Sequence, residues 1–350
     1  MDQIEGGRSE GGRVITLDPW RCMAVHIQQS KIKKPTKDKA LAFLNQAEEF
    51  YRAGSDPRVA SKPLLYYYSF LNLVKTSLTL KSNLDLDHCI HGLTEPRSNV
   101  KKRLLITSQQ VRVSDQRQGS NTQIYREFVQ ACGFSVPSKP KPMKIVDLLQ
   151  QVVNIDRVTA RNMGRAHSYV PIDTIEFLHD PRSRTAWVSL SVEKGKYAGP
   201  SDFARRVRDN SLSINEVEQR DLFDRDADSF RYYESTNLYE YQDSPIEVLG
   251  KAAASIWKDI WSEVIPGGYR FWLSSISHAK RLAQLASAYQ VMFYLGSMTR
   301  YRPHDFQKLA DGKHGWMIHE FLSTQPIQFV YFCGSDIINA EMAPPELVIQ

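Results

Sequence analysis

The stretch TARNMGRAHSYV places Arg161, Asn162 and His167 within one or two helical turns. These residue types could cleave a ribose phosphate without a metal. A histidine can carry a proton between a 2′-hydroxyl and a leaving oxygen, while an arginine stabilises charge on the phosphate. Arg161 and His167 are six residues apart, roughly 240° around an ideal helix, so they share a face only through the length of the arginine. Gly164 lies between them and can distort the helix. The alternative is a basic helix end, where Arg165 and His167 meet the negative pole of the helix dipole.

Two further clusters contain ligand types. LDLDHCIHGL gathers Asp85, Asp87, His88, Cys89 and His91, all able to hold a metal. Without a second pair at zinc-finger spacing it reads as a polar loop capping the preceding helix, and no metal is expected. In KHGWMIHEF, His314 and His319 are five apart, about 140° around a helix, so they cannot chelate as an i, i+4 pair does. This segment reads as surface, with Trp316 and Phe321 turned inward. The chain has no GxxxxGK[ST] or GxGxxG. That argues against a phosphate loop and a dinucleotide cradle, and no cofactor is expected.

Candidate binding residues fall into two groups. Tyr68, Asn72 and Lys75 lie on one side of an otherwise apolar helix, at spacings of four and three. Polar groups in a core need partners, so this row is either a structural hydrogen-bond network or a pocket wall. The basic group comprises Lys101, Lys102 and Arg103 in VKKRLL, the lysines of SKPKPMK, and Arg205, Arg206 and Arg208 in ARRVR. A net charge of +6 permits RNA or DNA as a partner without requiring one. Each basic run reads as a solvated face before a phosphate track. Tyr232, Tyr233, Tyr269, Phe271 and Trp272, interleaved with Arg231 and Arg270, would suit base stacking or a sheet packed under helices.

The elements that must position these residues are partly legible. VITLDPW looks extended and ends in a turn at Asp18-Pro19, and IKKPTKDK reads as a basic linker. DKALAFLNQAEEFYRAG carries Leu41, Leu44, Ala47 and Tyr51 at helical spacing. In SKPLLYYYSFLNLVKTSLTL, Ser61 can cap, Pro63 suits a first turn, and the pattern predicts a helix over 62–81 buried on several sides. RLLITSQQVRV reads as two short strands or a hairpin, followed by helices in NTQIYREFVQACG and KIVDLLQQVV. RTAWVSLSVEKG alternates as a strand, with Ala186, Val188, Leu190 and Val192 opposite Trp187, Ser189 and Ser191. SINEVEQRDLFDRDADSFRYYES reads as helix, loop and extended segment, and YRFWLSS as a strand. A long helix is predicted over 278–301, ended or kinked by Pro303. QFVYFCG reads as a strand or a short buried segment.

These elements predict an α+β fold, with helical N-terminal and C-terminal parts packed with a central antiparallel sheet. The expected organisation is a flexible tail over 1–14, a mainly helical part over 15–175 and a mixed part over 176–350, or a single domain. A length of 350 residues allows either. The longest apolar stretch, LASAYQVMFYLGSM, is too short to span a bilayer. Cys22, Cys89, Cys132 and Cys333 are far apart, which suits free thiols in a cytoplasmic protein.

KPLLYYYSFLNLVKTSL resembles the hallmark helix of the YaaC-like proteins, a bacterial family whose biochemical role is not settled. LNQAEEFYRAG, His91-Gly92-Leu93 and the late MTRYRPHDF resemble further features of that family, with Phe306 a loose match to its aromatic after the proline. The resemblance spans about Asp18 to Phe332 and implies a bacterial cytosolic protein. It supplies no catalytic residues. It leads to one expectation, a binding or adaptor component with a protein or nucleic-acid partner. TARNMGRAHSYV separately resembles the motif of HEPN-type ribonucleases, which implies a toxin or phage-defence effector. There Arg161, Asn162 and His167 would act where two copies meet in a homodimer.

Overall fold

The computed structural model describes residues 12–56, 60–82, 84, 86–96, 104–115, 121–194, 200–211, 213–217 and 229–346. The fold is α+β and divides into two compact units. Of the described residues, the first unit takes 12–163, 264–269 and 282–346, and the second takes 164–263 and 270–281. The units therefore follow a different cut from 15–175 and 176–350, because the C-terminal helices complete the N-terminal body.

The first unit is built around three helices that are apolar on nearly every side. Lys62–Lys81 starts with Pro63 in its first turn and buries twelve of its twenty residues. Ser61 precedes it but makes no side-chain cap. Gln284–Tyr301 buries thirteen of eighteen residues, and Gly315–Ile338 buries sixteen of twenty-four. A helix apolar all round belongs inside other helices. Phe70 stacks on Phe329 with ring centroids 3.8 Å apart. At Gly296 a Cβ would come within 3.0 Å of the Tyr67 Cβ, so glycine lets two of these helices approach closely.

Several expectations change here. The helix Lys34–Ser55 begins inside the segment read as a linker. Pro19 opens the helix Pro19–Gln29, with Asp18 accepting from the Arg21 amide at 3.0 Å, so Asp18-Pro19 is a capped helix start rather than a plain turn. The helix expected over 278–301 begins at Gln284, with a short 3₁₀ turn at His278–Lys280 before it. QFVYFCG is neither strand nor short segment, but the middle of Gly315–Ile338. Pro326 inside that helix costs about 3 kcal/mol, yet each fully buried aromatic contributes roughly 1.5–3 kcal/mol. Phe321, Phe329 and Phe332 together outweigh the proline. Trp316 points outward at 46% exposure, whereas Phe321 is fully buried as expected. RLLITSQQVRV holds one strand, Gln110–Val113, preceded by a turn.

The second unit centres on the strand Thr185–Glu193. Thr174–Asp180 pairs antiparallel along one edge, and Phe230–Ser235 and Tyr239–Glu240 share the other. Ile214–Val217 extends the sheet beyond Phe230–Ser235, so SINEV is strand and the nearby helix lies earlier, at Pro200–Asn210. Residues 218–228 lie outside the described residues. Ala186 to Val192 are all buried, so both sides of the alternating strand lie inside. Ser191 bonds Thr174 through their hydroxyls at 2.7 Å, and Ser235 accepts from the Val188 amide at 3.2 Å, so the polar side is covered as well. A second sheet orders Ile260–Ile265, Gly268–Ser274 and Tyr169–Pro171, with residues 264–269, the adjoining ends of its first two strands and the turn between them, counted in the first unit. The unit's core includes Val188, Leu190, Phe203, Ile214, Tyr233 and Leu273.

Candidate functional site

The motif that opened the chemical argument does not assemble on one helix. Arg161 and Asn162 sit in the last turn of Ile155–Met163, and Gly164 then takes φ +61°, a left-handed conformation that ends the helix. Arg161 and Asn162 belong to the first unit and His167 to the second. Asn162 Oδ1 bonds His314 Nδ1, and the His167 carbonyl accepts from Arg206 Nη2 at 2.8 Å. The shared helical face that a HEPN-type motif needs is therefore absent from this stretch, and the HEPN resemblance is not supported.

The other sequence candidates are engaged or fall outside view. Asn72 Nδ2 donates to the Tyr68 carbonyl at 2.9 Å, and the Tyr68 hydroxyl accepts from Arg300 Nη1 at 3.0 Å. Lys75 Nζ stands 5.1 Å from the Phe43 ring centre. Arg205 and Arg206 both pair with Asp202 on their own helix. Lys101, Lys102 and Arg103, like Asp85, lie outside the described residues. Asp87 pairs with Lys39 at 2.8 Å, and Cys89 Sγ donates to the Leu86 carbonyl at 3.1 Å. Among the described residues no three His, Cys, Asp or Glu side chains group to hold a metal. Of the strand aromatics, Tyr233 and Trp272 are 1% exposed and are core rather than stacking platforms.

The first unit does gather polar side chains in an open groove of about 400 Å³. Ile90, Thr94, Arg112, Ser114, Asp115, Asn121 and Gln123 line it. Four short strands bring these residues together. Cys89–Ile90 pairs parallel with Thr122–Gln123, and Leu93–Thr94 pairs antiparallel with Gln110–Val113. Along Gln110–Val113, Val111 and Val113 are buried while Gln110 and Arg112 are partly exposed, the period-two alternation of a half-buried strand. Gly92 joins the strand pairs at φ +80°, where a Cβ would meet the Gln123 Cβ at 3.2 Å, so this turn requires glycine. Its carbonyl accepts from the Ser114 amide at 2.8 Å.

Arg126 fixes the groove's outer frame. Its guanidinium donates to Gln123 Oε1 at 2.9 Å and to the carbonyls of Ser114, Pro137 and Val136 at 2.7, 3.0 and 3.2 Å. Burial lowers its pKa, with Asp115 opposing. Next to Ile90, the exposed His91 packs one ring face on Phe293 with centroids 5.2 Å apart. Burial lowers the His91 pKa, and its Nδ1 accepts from the Leu93 amide. Arg302 pairs with Glu95, one residue beyond Thr94, with both side chains under 20% exposed. Three segments singled out in the sequence thus converge here: His91-Gly92-Leu93, the Arg300–Arg302 turn, and the aromatic helix through Tyr68. The lining residues Arg112, Asp115, Asn121 and Gln123 were not anticipated. The one signal for them was the alternation in QVRV.

The second unit holds a buried charge centre that resembles a Ser–His–Asp set but is wired differently. Asp259 accepts from Ser211 Oγ at 2.6 Å, the Ser213 hydroxyl, the Ser213 amide at 3.1 Å and Arg281 Nη1 at 2.8 Å. His278 Nε2 lies 3.1 Å from Oδ1, the oxygen that Arg281 also bonds, while the serines bond Oδ2. Burial pushes the Asp259 carboxyl up, but the serine hydrogen bonds and the Arg281 and His278 charges outweigh it, leaving a net shift downward. Burial, then the Arg281 charge, lowers the His278 pKa against the pull of Asp259. Nucleophilic catalysis needs serine bonded to the base. Here both serines bond the carboxylate, so this is a structural hub.

The YaaC-like protein family model matches residues 15–337, nearly the whole chain, and the chain belongs to that family. No curated protein and no solved structure matches it. No helix among the described residues is long and apolar enough to cross a membrane.

Proposed function

We propose that this member of the YaaC-like family is an adaptor whose groove lined by Ile90, Thr94, Arg112, Asp115 and Asn121 seats a polar segment of a protein partner. The supporting observation is the lining: one guanidinium, one carboxylate, two amides and two hydroxyls on a wall held by Arg126. A frame fixed before binding limits the ordering cost that association carries. The mixture also favours one partner class. A phosphodiester strand gains from Arg112 but is repelled by Asp115, and its recognition rests on surplus positive charge. A polypeptide presents both amide donors and carbonyl acceptors, which Asn121 can match, and its side chains carry both signs of charge.

The test places a photocrosslinking amino acid at Ile90, which is 41% exposed, and irradiates the protein in its native host. The expected product is a crosslink to a polypeptide. Arg112→Ala together with Asp115→Ala should then weaken binding of that purified partner by at least about tenfold, or 1.4 kcal/mol. Crosslinks to nucleic acid alone, or affinity unchanged by both substitutions, would overturn the proposal.

A further inference from the structure

A second pocket of the first unit, independent of the groove, carries a different chemistry. Three helices, Pro19–Gln29, Lys62–Lys81 and Gly315–Ile338, bring their C-terminal turns to a pocket of about 230 Å³. Ile27, Ile32, Leu80 and Ile337 form apolar wall, and Ser77, Lys81 and Asp336 give it a polar floor. The Asp336 side chain is only 3% exposed. It sits in the last turn of its helix, where the dipole disfavours a carboxylate. Ser77 Oγ donates to Asp336 Oδ2 at 2.6 Å, and Lys81 Nζ pairs with Oδ1.

The charge balance selects the ligand. Each helix C-terminus acts as roughly −0.5 charge, so three ends and one carboxylate outweigh the ammonium of Lys81. Lys37 caps the first helix through the Gln28 carbonyl at 2.8 Å, and the sum is still negative. His26, also lining the pocket, adds positive charge only when protonated. A divalent metal would want six or more oxygen ligands, most of them charged or free to turn inward, whereas this site offers a single carboxylate beside Ser30, Ser77 and Asn339, with Ser77 and Lys81 already on that carboxylate. We propose that the pocket binds a primary alkylammonium group, with its chain against Ile27, Leu80 and Ile337 and its nitrogen on Asp336. Lys81 is the resident cation. It is the last residue of its helix, its side chain is 33% exposed, and it moves into water when the ligand nitrogen takes its place. The pocket is smaller than drug-sized clefts, which limits the ligand to a short chain. A free amine and a lysine side chain of another polypeptide share this chemistry.

The test is a methyl NMR titration of the full chain with butylamine, butyrate and a lysine capped at both ends. Butylamine should give saturable shifts at Leu80 and Ile337, and butyrate none. Lys81→Ala, which removes the competing cation, should bind butylamine at least about tenfold tighter. Asp336→Asn should not bind it. Ile32→Trp, in the connection after the first helix, should block the pocket without touching the ion pair. Capped lysine binding tighter than butylamine assigns the site to a polypeptide side chain, and the reverse assigns it to a free amine. No saturable shift in the wild type, equal binding of butyrate, unchanged affinity in Lys81→Ala, or undiminished binding in Ile32→Trp would each overturn the proposal.

Discussion

Asp259 in the second unit and Asp336 in the first are both withdrawn from water, yet they are held in opposite ways. Asp259 is enclosed by short or immobilised donors: two serines, a histidine, and Arg281, whose side chain is 1% exposed. Arg281 is itself fixed, donating to the Ile276 carbonyl at 2.6 Å and lying 5.2 Å from the Trp261 ring centre. Asp336 is met by a short donor, Ser77, and by a long partner, Lys81, that reaches it from a helix end. A carboxylate saturated by rigid groups is a structural joint. One whose main countercharge is a lysine with access to solvent keeps an exchangeable partner.

The largest expected effect follows from the saturated centre. Asp259→Ala leaves Arg281 buried without its countercharge, which costs about 3–5 kcal/mol. Urea unfolding should show this as a lower midpoint for the second unit. A loss below about 1 kcal/mol, the size of an ordinary substitution, would remove the distinction drawn here. Lys81→Ala should cost less, about 1–3 kcal/mol, because water can reach the uncovered Asp336 through the pocket. The same unfolding assay compares the two directly, and equal losses would mean that Lys81 is as fixed as Arg281.

Neither centre was legible in the sequence, and the reasons are physical. The hub draws on Ser211, Ser213, Asp259, His278 and Arg281, residues spread over seventy positions that only the sheet topology brings together. The groove rests on strands of two to four residues, and apart from the alternation in QVRV they are too short to show a period. Lys62–Lys81 was legible because its proline start and unbroken apolar surface are local properties. The helix around QFVYFCG was not, because Pro326 and the aromatic run favour other local states and only tertiary packing reverses them. TARNMGRAHSYV misled for a local reason too, since Gly164 at positive φ stops the helix before His167.

The smallest expected effect tests whether His278 belongs to the hub. Its pKa in the folded protein lies below the ordinary 6.5, because burial and the Arg281 charge outweigh Asp259. Folding therefore favours the neutral ring. That contribution is fully present above pH 6.5, the unfolded value, and is lost as pH falls from there through the folded pKa. The Asp259 contribution has the same sign in a separate window: it is intact above the ordinary 3.8 and lost only as pH falls through a lower folded value. Melting temperature should thus decline between pH 7 and pH 5 before any acid unfolding at the hub. His91, lowered by burial in the first unit, adds a decline of the same sign, so the wild-type curve alone is not diagnostic. The difference between wild type and His278→Gln isolates the hub's share, and the variant should decline less over this interval. If its slope matches the wild type, His278 is uncoupled from folding, and Asp259 is held by Arg281 and the two serines alone. The contrast with Asp336 would then be sharper still, between a carboxylate fixed by three permanent partners and one whose countercharge is an exchangeable ammonium.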